Sequence, residues 1–405
     1  DALPISIATV GLGNLWRFAW LLGANGGGPF LVSYLGCLLL IGVPLLVAEI
    51  LLGTHGRGSP LSSVAWALHT ADRSRIWLLV PLLTTAAAML MLVISLLVAG
   101  WALFYAFQQQ LGSFAAMPLD EVGAYLALQL EEPSGLLLAQ SFVAIAAGLV
   151  SAAGVRRGVG LYAWIAVPLL VWLLGALVRF ALQFGDLEQA GRYLFTWQSL
   201  DFDGGSFLAA LGHALFTLSI GVAVGLCYGA YAPDKLPVVR SVIAVALFDL
   251  VVAVAAGVAL YPLLFSANVV PAKDFAFLFV AVPFAFGSMP FGDLYGALFF
   301  TAVIVAALGS AIALLEPLIG VLEHQLRIPR RLSVLVLGSI AWALSCVATA
   351  GLASGGALLQ GLDRASGQLL IPLAMLLLAL LVGWRLPRNV LRRELGREPA
   401  ILFRL

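Results

Sequence analysis

The sequence consists mainly of long apolar segments that follow one another with short polar connections between them. The hydrocarbon core of a bilayer is about 30 Å thick, and a helix needs roughly 20 apolar residues to cross it. We therefore predict an all-α membrane protein. Its ten predicted spans, numbered here in chain order, cover residues 1–24, 29–53, 77–110, 135–153, 158–184, 205–231, 237–267, 292–326, 331–352 and 363–386.

The composition agrees with a membrane protein and excludes several other classes. Hydrophobic residues make up 62% of the chain and charged residues only 10%, whereas about a quarter of a soluble domain is charged. The two lysines, Lys235 and Lys273, form no basic cluster with aromatic residues, so no nucleic-acid partner is expected. Cys37, Cys227 and Cys346 stand singly in apolar runs and do not suggest a metal site. The phosphate-binding, serine-hydrolase and zinc-peptidase motifs are missing, so no enzyme is predicted.

The arginines define an orientation in the membrane. Most of them lie in the connection of residues 54–76, in the connections after spans 4, 6 and 8, and in the segment after Trp384. Basic residues favour the cytoplasmic side, so we expect these regions to be cytoplasmic in a multi-pass protein of the inner (plasma) membrane. The opposite side carries mostly acidic residues, namely Asp120, Glu121, Glu131, Glu132, Asp186, Glu188, Asp201 and Asp203.

Spans 1 and 6 are interrupted at corresponding places. Residues 10–14 break span 1 and residues 217–221 break span 6. A break inside the bilayer leaves backbone groups that protein, water or ligand must satisfy, and paired breaks indicate a transport site. The alternative is that these glycines only allow close helix packing.

The two breaks also suggest an internal repeat. Each interrupted span begins a set of five helices, and an odd number per set inverts the second set relative to the first. We predict a single transporter domain over 1–405, with inverted repeats at 1–184 and 205–386 and a cytoplasmic tail at 387–405.

The residues around the first break resemble a known family. GLGNLWRF at 11–18 and NGGGPF at 25–30 resemble the signature of the neurotransmitter:sodium symporters, and further matches follow over nearly the whole chain. The resemblance implies a LeuT-type 5+5 inverted repeat. Because the chain starts at Asp1 inside an apolar segment and ends soon after span 10, we expect a bacterial member that is truncated at both ends.

The resemblance implies a first sodium site. It would use the Thr9 carbonyl, Asn14, the hydroxyl and the carbonyl of Thr217, and Asp249, which stands where many relatives have asparagine. A lone carboxylate in an apolar helix costs about 2.5–3.5 kcal/mol on insertion scales and should have a partner. A protonated Asp249 bonded to a neighbouring helix is the alternative. A fixed carboxylate here would take the place of the chloride ion that some relatives bind.

A second sodium site is implied less completely. It would use the carbonyls of Ile7, Val10 and Ala306 and two hydroxyl positions of span 8, which are Gly309 and Ser310 here. One hydroxyl is therefore missing, and coupling to one or to two sodium ions stays open.

The resemblance also places a substrate pocket at the breaks. The helix that begins near Leu12 and Gly13 directs N–H groups at a substrate carboxylate, and carbonyls of the span 6 break would accept an ammonium group. Ser95 replaces a tyrosine whose hydroxyl normally holds the carboxylate. Three alternatives follow from the shorter side chain: a water bridge, a longer acidic group, or a substrate that is not an ordinary α-amino acid. The implied pocket residues are Leu12, Gly13, Met91, Ser95, Phe216, Thr217, Ser219, Val222, Ser310 and Leu314.

Two gate pairs follow from the same resemblance. Arg17 and Asp363 would form the outer gate. Tyr231 would belong to the inner gate, where His324 replaces the family's acidic residue.

Three further ionisable residues lie inside spans. Glu49 is expected to bond the broken backbone of span 6, and His213 to lie near enough to Asp249 for a hydrogen bond. Glu316 has no predicted role.

These expectations combine into a sodium-coupled symporter of a small amino acid or related zwitterion that works by alternating access in the lipid bilayer. Na⁺ is the expected coupling ion. The alternative is a channel-like or non-transporting membrane scaffold that keeps the fold.

Overall fold

The computed structural model describes residues 11–15, 17–197, 201–233, 237–269 and 276–387. Eight helices within these ranges are long and apolar enough to cross a membrane. They correspond to predicted spans 2–5 and 7–10. Their bounds are Gly28–Gly56, Arg75–Gln110, Ser134–Ala152, Val155–Phe184, Val238–Ser266, Gly292–Gln325, Arg330–Ala350 and Ala357–Arg385.

Span 6 is built from two shorter helices, Gly204–Thr217 and Val224–Tyr231, as expected for an interrupted span. Of span 1 the structure describes the helical stretches Leu12–Leu15 and Arg17–Ala24, and residue 16 between them lies outside the described residues. We call the two parts of span 6 its outer half and its inner half. Residues 1–10, which include the first part of span 1, and the tail from residue 388 lie outside the described residues.

The connections contain helices that the sequence interpretation missed. These are Pro60–Thr70, Leu119–Glu131, Leu187–Phe195 and the segment Phe277–Gly287. Local capping explains two of them, because the side chain of Ser59 accepts from the Ser62 N–H and that of Asp186 from the Gln189 N–H. The expectation of short connections between the spans was therefore wrong.

Spans 3 and 8 form the centre of the helix packing. The most extensive contact between any two described helices joins them. Both spans carry residues of the predicted pocket, so the pocket wall on this side stands on the best-packed part of the fold.

Span 2 touches the inner half of span 6 through glycines. A Cβ atom added to Gly53 would lie 2.0 Å from the carbonyl oxygen of Leu226, and one added to Gly229 would lie 2.2 Å from that of Ile50. Any side chain would separate the helices, since real Cβ atoms do not approach so closely. Small residues thus allow backbone-to-backbone packing here.

Candidate functional site

The break in span 6 is a short left-handed turn between two helices. The outer half ends at Thr217 and the inner half begins at Val224. Ser219, Gly221 and Ala223 have φ values of 54°, 79° and 59°, a backbone region that residues other than glycine rarely adopt. Such strained backbone persists only where surrounding contacts hold it.

Glu49 of span 2 supports this turn. The Gly221 N–H donates a 2.9 Å hydrogen bond to Glu49 Oε1, and the Glu49 side chain is completely buried. The carboxylate therefore satisfies a backbone group that the interrupted helix leaves unpaired. The prediction for Glu49 is confirmed.

Three polar side chains meet beside the two breaks. Asn14 Nδ2 donates to Asp249 Oδ1 at 2.5 Å, and Thr217 Oγ1 lies 2.6 Å from Asn14 Oδ1 and 2.8 Å from Asp249 Oδ2. They come from spans 1, 6 and 7 and are at most 3% exposed. We call this group the Asn14–Thr217–Asp249 cluster.

The donor set of this cluster fits a sodium ion. Hard cations prefer oxygen ligands, and the cluster offers the Asn14 amide oxygen and an Asp249 carboxylate oxygen, each within 3 Å of the Thr217 hydroxyl. It also gives Asp249 the partners that a carboxylate inside an apolar span needs. Thr9, the remaining predicted ligand, lies outside the described residues.

A pocket opens next to the cluster. It contains all the predicted pocket residues except Leu12, whose side chain lies outside the described part of the structure. Apart from Asn14, its polar side chains are hydroxyls, and the rest of its surface is apolar. Its lining residues are Gly11, Gly13, Asn14, Met91, Ser95, Phe216, Thr217, Ser219, Ile220, Val222, Val224, Ser310, Ala313, Leu314 and Ile371.

The pocket walls come from both sets of helices. Met91 and Ser95, one helical turn apart on span 3, lie on one side, and Phe216 of span 6 lies on another. A Cβ on Gly13 would stand 3.1 Å from the Phe216 ring, so glycine lets the ring approach span 1. These residues place the pocket between spans 1, 3 and 6.

The described part of the second predicted sodium site lies on span 8. Ser310 Oγ donates to the Ala306 carbonyl at 3.2 Å, one turn earlier on the same helix. Gly309 contributes no side-chain oxygen. Ile7 and Val10, whose carbonyls would complete the site, lie outside the described residues.

In the described residues, no hydrogen bond or ion pair joins the four predicted gate residues to one another. The Arg17 guanidinium lies over the Phe216 ring, 5.3 Å from its centroid, which is within the range of a cation–π interaction. Arg17 forms no ion pair with Asp363 in this conformation, and both side chains are exposed. At the inner end Tyr231 is 40% exposed, and His324 Nδ1 lies 2.9 Å from the Gly320 carbonyl of its own helix.

His213 does not bond Asp249, so that expectation was wrong. Its ring lies 5.7 Å, between centroids, from both Phe18 and Tyr34. It is 3% exposed, and neither ring nitrogen has a hydrogen-bond partner. Aromatic neighbours therefore hold the imidazole away from the carboxylate.

Glu316 has a partner that sequence reasoning missed. The buried Glu316 carboxylate pairs with Arg330 at the start of span 9. Arg330 also donates from Nε to the Ser151 carbonyl at 2.8 Å and lies 3.9 Å from Glu323. A buried carboxylate in an apolar helix needs a partner. The sequence could have indicated this pair, because the basic residues of the next connection are the nearest candidates along the chain.

Comparison with known proteins agrees with this geometry. The model of the sodium:neurotransmitter symporter family matches residues 4–118 and 134–401. An uncharacterized sodium-dependent transporter of Bacillus subtilis, YhdH, is 31% identical over 77% of this chain and 68% of its own. Another from Methanocaldococcus jannaschii is 25% identical over 96% of this chain and 81% of its own.

A solved structure resembles the fold over the full length of the chain. The crystal structure of MhsT in complex with L-phenylalanine has a TM-score of 0.88 and 29% sequence identity, and the match covers 100% of this chain and 92% of MhsT. The prediction of a LeuT-type fold with interrupted spans 1 and 6 is thereby confirmed. The chain belongs to the sodium:neurotransmitter symporter family and is a sodium-coupled transporter rather than an enzyme.

Proposed function

We propose that the protein carries a small amino acid or a related zwitterion together with sodium across the inner membrane by alternating access. The observation that carries this proposal is that the pocket adjoins the Asn14–Thr217–Asp249 cluster: Asn14 and Thr217 line the pocket and also belong to the cluster. An ion and a substrate bound there would be neighbours, so each would favour the binding of the other.

Sodium is assigned to the cluster. The Asn14 and Thr217 oxygens and the Asp249 carboxylate would ligate the ion, with the Thr9 carbonyl as a further ligand. Asp249 would compensate the ion's charge where water is excluded, since Asp249 is completely buried. Binding of sodium would replace the short hydrogen bonds now made within the cluster.

The substrate is assigned to the pocket. The helix start at Leu12 and Gly13 would direct N–H groups at an acidic group, and the carbonyls of the span 6 turn would accept from an ammonium group. Met91, Val222 and Leu314 would contact the apolar part of the substrate. L-phenylalanine in the related MhsT structure is consistent with a zwitterionic ligand.

Opening and closing are assigned to the two gates. Arg17 covers Phe216, which lines the pocket, so movement of span 10 towards span 1 would bring Asp363 to Arg17 and close the outer side. Tyr231 and His324 would act at the inner side.

Two measurements test the proposal. First, thermal unfolding of the purified protein with a panel of L-amino acids and amino sulfonates, in NaCl and in choline chloride, should identify ligands that stabilise only with sodium. Second, proteoliposomes preloaded with such a ligand should take up the labelled ligand by counterflow. Ligand binding without counterflow would favour the non-transporting scaffold, and passive flux without exchange would favour a channel.

A further inference from the structure

The second cation position differs from the first in what it offers an ion. The Asn14–Thr217–Asp249 cluster supplies three side chains with oxygen ligands, including a full negative charge. In the turn of span 8 from Ala306 to Ser310 the only side-chain oxygen is that of Ser310, because Gly309 has no side chain. No charged side chain compensates for this loss among the described residues of the turn from Ala306 to Ser310.

Protein hydroxyls already bond two adjacent carbonyls of span 8, those of Val305 and Ala306. Ser310 donates to the Ala306 carbonyl at 3.2 Å. The Tyr162 hydroxyl of span 5 donates to the neighbouring Val305 carbonyl at 2.7 Å. Ala163 and Ala166, on the same stretch of span 5, form a small apolar cluster against Tyr162 and Val305, so the tyrosine is held in place by packing.

These bonds make ion binding less favourable here. A cation at Ala306 would have to displace or share the lone pairs that accept the Ser310 hydroxyl, and a hydrogen bond has a net value of roughly 0.5–1.5 kcal/mol. The described residues of span 8 also offer it fewer oxygen ligands than a hard cation prefers. These described residues therefore do not fit a second sodium ion.

We infer that this carrier binds one sodium ion, at the Asn14–Thr217–Asp249 cluster, and that Gly309 is the residue that disables the second position. The inference rests on the proposed function, since it assumes that the cluster is a sodium site. Without an ion at the second position, the Ser310 hydroxyl bonds the Ala306 carbonyl within span 8, and the Tyr162 hydroxyl joins span 5 to span 8 at the Val305 carbonyl.

The test counts bound ions directly and needs no substrate. Binding of ²²Na⁺ to the purified protein, measured at constant ionic strength with choline as replacement, should saturate near one ion per protein with a Hill coefficient near one. Asn14→Ala should remove nearly all of this binding. Saturation near two ions, or one remaining ion in Asn14→Ala, would overturn the inference while leaving the proposed function intact.

Adding the missing hydroxyl tests the role of Gly309. Gly309→Ser should raise saturation towards two ions and the Hill coefficient above one. Gly338→Ser on span 9 is the matched control, because its new Cβ would meet no atom within 4 Å, and it should still bind one ion. Gly309→Ser protein that folds normally and binds one ion would overturn the assignment to Gly309. A wild type that binds no ²²Na⁺ would overturn the proposed function as well.

Discussion

Asn14 and Asp249 lie 235 residues apart in sequence, yet the Asn14 amide donates a 2.5 Å hydrogen bond to the Asp249 carboxylate. This bond orients the asparagine, because its nitrogen faces Asp249 and its oxygen is left to face Thr217. The buried carboxylate thus has neutral partners when no ion is bound. Spans 1 and 7 are joined by the same side chains to which we assign the sodium ion.

Removing either neutral member of the cluster should weaken sodium binding. Asn14→Ala and Thr217→Ala each delete one oxygen ligand of the ion. Hydrogen bonds to charged groups contribute about 1.5–3 kcal/mol, so we expect the sodium concentration for half-maximal ligand binding to rise at least tenfold. Thr301→Ala is the control, since that hydroxyl bonds only the Ala297 carbonyl of its own helix. Unchanged sodium dependence in both variants would show that the first site is elsewhere.

Uptake should not require chloride. A chloride ion beside Asp249 would place two anions together in a low-dielectric environment, where repulsion is strong. Initial uptake in proteoliposomes should therefore survive replacement of chloride by gluconate. Asp249→Asn should weaken sodium binding and make uptake respond to chloride. If wild-type uptake collapses in gluconate, Asp249 does not supply the compensating charge.

Restoring the aromatic hydroxyl at position 95 should change ligand preference. Ser95 lines the pocket and is 8% exposed, so a phenol there would reach into the substrate space. Ser95→Tyr should favour compact α-amino acids, measured by the sodium-dependent thermal shift. Ser95→Phe adds the ring without the hydroxyl and separates hydrogen bonding from size. Equal loss of all ligands in both variants would mean that the native substrate fills this space.

Charge exchange should partly rescue the outer gate. Arg17→Asp should abolish uptake, since closure would bring two carboxylates together. The double variant Arg17→Asp with Asp363→Arg should recover part of the activity in proteoliposomes. Loss of activity in the double variant, with normal thermal unfolding of every protein, would indicate that the two residues never meet during transport.

Removing one member of the Glu316–Arg330 pair should destabilise the protein more than removing both. Arg330→Met leaves the buried Glu316 unpaired, and breaking such a pair typically costs 3–5 kcal/mol. The double variant Arg330→Met with Glu316→Leu should recover most of this loss, because no buried charge remains. Arg331→Met, an exposed neighbour, should have little effect. Thermal unfolding in detergent provides the comparison, and equal stability of Arg330→Met and wild type would contradict the argument.

The amino-acid sequence was sufficient for the fold and for most of the pocket, for physical reasons. Long apolar segments can only be spans, and the glycine-containing breaks of spans 1 and 6 indicated where backbone groups need partners. Asp249 and Glu49 could be placed because a carboxylate in an apolar helix requires a specific neighbour.

The features that were missed depend on tertiary packing. His213 was expected at Asp249 from helical spacing, but Phe18 and Tyr34 hold its ring elsewhere. The Tyr162–Val305 bond joins residues 143 positions apart, and no local pattern indicates it. The connection helices are short and partly exposed, so their hydropathy does not distinguish them from loops.

The glycine contact between span 2 and the inner half of span 6 restricts how the inner side can open. At Gly53 and Gly229 the two backbones lie so close that neither helix could slide along the other without a clash with side chains. Glu49 also bonds span 2 to the turn just before the inner half. We therefore expect the two helices to move together. The helix Pro60–Thr70 follows span 2 directly and would move with them, so a conformational change at the buried pocket would reach the side of the membrane that the arginines predict to be cytoplasmic.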